Sequence, residues 1–143
     1  KNLEQAGLHK AKVARFKKAL SGFSLLFEKD LMLFDPVIND AIMNGQLQKF
    51  EYCSELMWKA IRSQLIISSG ISPRSPRESI KEFFNCGYIN SAQYEILIKI
   101  LEDRNTLSHV YNEEVFAEIH SRLKEHNFVM NEVLLILEKD SII

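Results

Sequence analysis

Residues 91–111 read SAQYEILIKILEDRNTLSHVY. Tyr94, Ile96, Leu97, Ile98, Ile100 and Leu101 make the first half apolar nearly all round. That pattern predicts a helix buried on most of its sides, the most buried of the chain. Asn90 or Ser91 supplies its start. At once after Leu101 come Glu102, Asp103, Arg104 and Asn105, and then His109. Charge in or beside a core is costly unless it is paired, so this abrupt change demands a reason. One reading is a helix end emerging into solvent, where Arg and His suit the negative pole of the helix dipole. The other is a functional site.

Helical signals continue on both sides of this stretch. Val13, Phe16, Leu20, Phe23 and Phe27 recur at spacings of three and four, which is one apolar stripe on a long first helix. Its other faces carry Lys10, Lys12, Arg15, Lys17 and Lys18. Asp35-Pro36 reads as a helix start, with Asp as N-cap and Pro in the first position. Asn44-Gly45 predicts an interruption, so a short turn or irregular connector is expected before a second main helix from about Gln46 to Ile67. Phe50, Cys53, Met57 and Ile61 form the inner stripe of that helix, and Glu55 with Lys59 is a favourable i,i+4 pair. Ser75-Pro76-Arg77-Glu78 is a capped start for a short third helix, which Asn85-Cys86-Gly87 ends with glycine as left-handed terminator. Asn112 caps a fifth helix that can run nearly to the C-terminus. No useful strand-like alternation occurs. The expected fold is therefore all-α, about five helices packed as an antiparallel four-helix-like bundle, in one domain over residues 1–143.

Composition narrows the functional classes. Hydrophobic residues at 46% and charged residues at 26% exclude a disordered chain. A net charge of −1 excludes a uniformly basic nucleic-acid binder, so contact with a polyanion requires a local patch. Cys53 and Cys86 stand alone without a Cys/His cluster, which argues against zinc and for two reduced core residues. No apolar run nears the ~20 residues that span a bilayer. No metal, cofactor or membrane contact is expected, and the expected compartment is the cytoplasm.

Helical geometry constrains a site at Arg104. At about 100° per residue Arg104, Ser108 and Tyr111 share a stripe, whereas His109 lies roughly 140° from Arg104. The two converge only if the helix ends near His109, or if a second copy brings its own pair across a symmetric interface. A catalytic motif here therefore predicts a homodimer.

The string Arg104-Asn105-x3-His109-x-Tyr111 resembles the Arg-polar-x3-His signature of HEPN domains. The following Tyr is found in the HEPN toxins (HepT-like) of HEPN/MNT toxin–antitoxin pairs. Phe50-Glu51-Tyr52, Glu55-Leu56-x-Trp58-Lys59, Ser75-Pro76-Arg77-Glu78 and the stretch from Asp103 to Glu114 are similar to the nucleotidyltransferase substrate-binding protein branch. The resemblance covers about residues 10 to 138. It implies a metal-independent endoribonuclease at a dimer interface, paired with an MNT-type nucleotidyltransferase. It also admits a non-catalytic substrate- or nucleotide-binding subunit of that transferase. Arg104, Asn105 and His109 are then the catalytic candidates, and Tyr111 is a regulatory residue to which a partner can transfer AMP.

The chemistry is self-consistent. RNA carries its own nucleophile in the 2′-hydroxyl. Histidine titrates near neutrality and can move protons, Arg offers a fixed fork of donors to phosphate, and the Asn amide can donate to phosphate or orient an imidazole. Ser108, Trp58 and Lys59 are candidate RNA or partner contacts, Trp58 as a stacking platform or as core or dimer-seam packing. No DNA specificity is expected. Glu51 and Glu55 read as structural or partner contacts, the basic run Lys10 to Lys18 as a solvated face or a track for RNA. His9, His120 and His126 receive no role.

Overall fold

The computed structural model describes residues 2–28 and 35–141. Among these residues, five α-helices run in the order α1 (Asn2–Leu25), α2 (Pro36–Ser69), α3 (Pro76–Asn85), α4 (Ser91–His109) and α5 (Glu113–Ser141), with a 3₁₀ turn at Leu26–Glu28. Among the described residues there is no strand.

The starts and stops are those that local chemistry dictates. Asp35 Oδ1 accepts from the amides of Val37 and Ile38 at 2.9 and 3.0 Å. Ser75 Oγ accepts from Glu78 N at 3.1 Å, while the Glu78 carboxylate reaches back to Arg74 N at 2.8 Å, one residue beyond the expected cap. Asn90 and Gln93 form a reciprocal capping box. Gly70 and Gly87 take φ of 66° and 85°, the left-handed turn that ends a helix.

Asn44-Gly45 does not interrupt α2. Its 34 residues are continuous and span about 50 Å. Gly45 costs a helix interior only about 1 kcal/mol. Burial of the neighbouring Gln46, Leu47 and Phe50 against the bundle offsets that. A second expectation also fails. Of the apolar residues of α4 only Leu97, Ile100 and Leu101 are fully buried, with Tyr94, Ile96 and Ile98 half-buried. The central helix is α2, which buries Phe50, Cys53, Met57, Ala60, Ile61 and Leu65.

Side-chain pairs fix the helix directions. His9 meets Ser63 and Phe23 meets Phe50, so α1 and α2 are antiparallel. Lys17 meets Glu138 and Ser24 meets Asn127, so α1 and α5 are antiparallel as well. Gln93 meets Glu132 and Asp103 meets Arg122, which sets α4 against α5 in the same way. Arg104 on Glu55 and Ser108 on Glu51 show that α4 runs antiparallel to α2. The result is an antiparallel four-helix bundle of α1, α2, α4 and α5, with α3 packed on α2 and α4. The stripe of α1 is confirmed: Val13, Phe16, Leu20 and Phe23 are buried, and Phe27 packs against them. Only one cysteine is a core residue. Cys53 is fully buried, and burial pushes its thiol up to about 12. Cys86 is exposed at the end of α3.

Candidate functional site

The polar stretch after Leu101 is no simple helix end in water. Asp103 is 2% exposed. Its carboxylate receives two hydrogen bonds from the Arg122 guanidinium, at 2.9 and 2.8 Å, and lies 2.8 Å from His126 Nε2. Burial alone would raise the Asp103 pKa, but the hydrogen bonds from His126 and Arg122 outweigh it and hold the carboxyl at about 2. The same pairing raises Arg122. His126 is buried and its ring stacks on Phe50 at 5.4 Å. This cluster bolts the last turns of α4 to α5. The sequence reading missed it because Arg122 and His126 lie far along the chain from Asp103, although their i,i+4 spacing on α5 was visible.

With Asp103 turned inward, Arg104 is turned toward α2. Its Nη2 lies 3.3 Å from Glu55 Oε2. Glu55 is a hub: the same oxygen accepts from Trp58 Nε1 at 3.1 Å, and Oε1 lies 3.3 Å from Lys59 Nζ. Burial pushes the Glu55 pKa up, but the Trp58 and Lys59 hydrogen bonds and the Arg104 charge bring it below the ordinary value. Glu55 thus makes structural contacts within the chain, one of the two roles expected of it.

Arg104 and Asn105 line a cavity of about 130 Å³ between α2, α4 and the start of α3. Two atoms of residues in its wall, Arg104 Nε and Ser54 Oγ, are buried with no hydrogen-bond partner among the described residues. Asn105 and Ser108 are exposed, and Ser108 Oγ donates to Arg104 O at 3.2 Å and lies 3.5 Å from Glu51 Oε2.

The helix ends at His109, which is exposed; Val110 follows in extended conformation. One of the two conditions for convergence is therefore met, yet no hydrogen bond joins Arg104 to His109 within one chain among the described residues. Tyr111 lies beyond the helix, so it leaves the stripe shared by Arg104 and Ser108. It is 98% exposed, with an edge contact to Phe116 at 5.7 Å. It borders a groove with Asp40, Glu113 and His120.

The remaining histidines have structural partners. His9 is buried against Ser63 at 2.9 Å, and burial lowers its pKa. His120 meets Gln46 Oε1 at 2.6 Å and is likewise lowered by burial. Among the described residues no three His, Cys, Asp or Glu side chains gather as a metal site, and no helix is long and apolar enough to cross a membrane.

An antiparallel helical bundle with Arg-x4-His closing its fourth helix has the HEPN fold. The structure superposes on a tri-AMPylated Shewanella oneidensis HEPN toxin in complex with MNT antitoxin with a TM-score of 0.72, at 14% identity, over 92% of this chain and 96% of that one. At that identity the likeness speaks to fold alone. A Thermus thermophilus protein of known structure matches with a TM-score of 0.73 and 28% identity, over 85% of this chain and 98% of that one. A Haemophilus influenzae protein described as a probable ribonuclease HepT is 27% identical over 105 residues, 68% of this chain and 70% of its own length. The sequence model of the family "Nucleotidyltransferase substrate binding protein like" matches residues 11–138, and the chain belongs to that family.

Proposed function

We propose that this protein is a HEPN-type endoribonuclease that works as a homodimer, in the role of a toxin restrained by an MNT-type nucleotidyltransferase. The observation that carries the proposal is the Arg104 guanidinium. It is anchored by Glu55 and lines a small cavity together with Asn105, and the exposed His109 stands at the end of the same helix. The probable ribonuclease HepT of Haemophilus influenzae supports the activity, and the AMPylated toxin bound to its antitoxin supports the partner.

In this reading Arg104 and the Asn105 amide hold the scissile phosphate and stabilise the charge of the phosphorane. One His109 takes the proton of the 2′-hydroxyl as its oxygen attacks phosphorus. A second, from the other copy, protonates the departing 5′-oxygen. The products are a 2′,3′-cyclic phosphate end and a 5′-hydroxyl end, and no metal enters. A second copy is needed because one chain carries one such imidazole and the two proton transfers use two. Tyr111 is the control point. Its hydroxyl stands in solvent, open to a transferase, and an attached AMP would add a bulky anion to the segment that directly follows His109.

Purified protein incubated with RNA and EDTA should cleave it and leave cyclic phosphate ends. His109→Ala should lose at least about 100-fold of the rate, the usual worth of a general acid–base group. Equal cleavage by the variant would sink the assignment. The family description, nucleotidyltransferase substrate binding protein like, favours a second reading, a non-catalytic subunit that presents a nucleotide or substrate to the transferase. That reading predicts a stable complex with the transferase and no cleavage by either form.

A further inference from the structure

A broad concavity of about 870 Å³ adjoins Trp58, the residue that also borders the Arg104 cavity. Its charged lining is wholly basic: Lys12 and Arg15 from α1, Lys59 and Arg62 from α2, and Arg74 from the loop before α3. In a chain of net charge −1 this is a strong local concentration of positive charge. Among the described residues, Lys12, Arg15 and Arg74 have no carboxylate within ion-pair distance. Arg62 is fixed in place by neutral partners, donating from Nε to Pro73 O at 2.8 Å and lying 3.4 Å from Ser72 Oγ. Its charge is positioned but not neutralised. Three elements thus converge to leave several cations uncompensated, although like charges repel and the fold gains nothing by gathering them.

We infer that this groove is the track for a single RNA strand on its way to Arg104, an inference that rests on the ribonuclease reading of the site. The cations would follow successive phosphates, and the half-buried Trp58 would offer its face to a base. Continuity carries the argument. Trp58 lines both the groove and the cavity, and the Glu55 carboxylate joins the Trp58 indole, Lys59 and Arg104. A strand lying on Lys12 and Arg15 therefore meets Trp58 before it meets the Arg104 guanidinium. The form of the groove favours a polymer over a small nucleotide. Small-ligand sites enclose most of their ligand in an apolar pocket, whereas this surface is open and charged.

Binding can be read without cleavage. A fluorescein-labelled 12-nucleotide 2′-O-methyl RNA lacks the internal nucleophile, and its anisotropy reports binding to the intact protein. The triple variant Lys12→Ala/Arg15→Ala/Arg74→Ala should lose about tenfold or more of the affinity at 0.1 M salt. Its slope of log affinity against log salt should flatten by about 2, as three lost contacts to a single strand predict. Neutralising Lys81 and Lys124, exposed lysines outside the groove, should leave both quantities close to wild type. A melting curve checks that the triple variant is folded. Unchanged binding by the triple variant overturns the track, as does an equal loss in the Lys81/Lys124 control. Full competition by ATP at stoichiometric concentration would assign the groove to a mononucleotide instead and also overturn it. Failure of the ribonuclease reading looks different: groove-dependent binding persists, and natural RNA stays intact.

Discussion

Asp103 and Arg104 are neighbours with opposite tasks. Asp103 is buried on Arg122 and His126, and Arg104 half-emerges beside Glu55. Adjacent helical residues point about 100° apart, so fixing one aims the other. The ion pair of Asp103 is therefore the device that orients the Arg104 side chain. Its depressed pKa also gives a stability signature. The carboxylate contributes above its unfolded pKa of 3.8 and loses that contribution as pH falls through about 2. The pH-dependent part is about 2 kcal/mol. In urea unfolding, Asp103→Asn should be destabilised by at least that amount at pH 7, and the gap to wild type should narrow between pH 4 and 2. A gap that stays constant across that range would show that the carboxylate charge is not what holds α4 to α5.

At the scale of elements, α2 is the frame on which the site is built. It presents Glu51 and Glu55 to α4, Trp58 to both cavities, and Lys59 and Arg62 to the basic groove. A continuous helix of 34 residues does this with a glycine inside it. A methyl group at Gly45 would meet only Leu26 Cδ1, at 3.8 Å, an ordinary contact. Gly45→Ala should therefore stabilise the protein by about 0.5–1 kcal/mol through helix propensity. Thermal or urea denaturation measures it. A destabilised variant would mean that the chain needs glycine here for another reason, such as a bend in α2.

At the scale of the whole molecule, one copy displays a half-exposed Arg104 anchored on Glu55 and an exposed His109, with no hydrogen bond between them among the described residues. Under the proposed mechanism two copies complete the chemistry. Sedimentation should show a dimer at micromolar concentration, and specific activity should fall on dilution in step with its dissociation. A monomer of undiminished specific activity would remove the second copy from the mechanism and leave a single-chain site to be explained.

Helix number, most caps and the apolar stripe of α1 were legible because they follow from rules that act within a few residues. Asp35, Ser75, Asn90 and Asn112 satisfy amide groups that lie next to them in the chain. The Arg-x4-His string of Arg104 and His109 can be read as a motif for a similar reason, since its residues lie close together along the sequence. The continuity of α2 was not legible, because burial against other helices outweighed the local preference of Asn44-Gly45. Nor was the place of the apolar face of α4, since hydrophobicity sets how much a helix can bury and not which partners cover it. The Asp103–Arg122–His126 cluster, the Glu55 hub and the basic groove unite residues from distant parts of the chain. Only the packing of the bundle decides whether such charges cancel in pairs, as at Asp103, or stand together unneutralised, as along Lys12, Arg15 and Arg74.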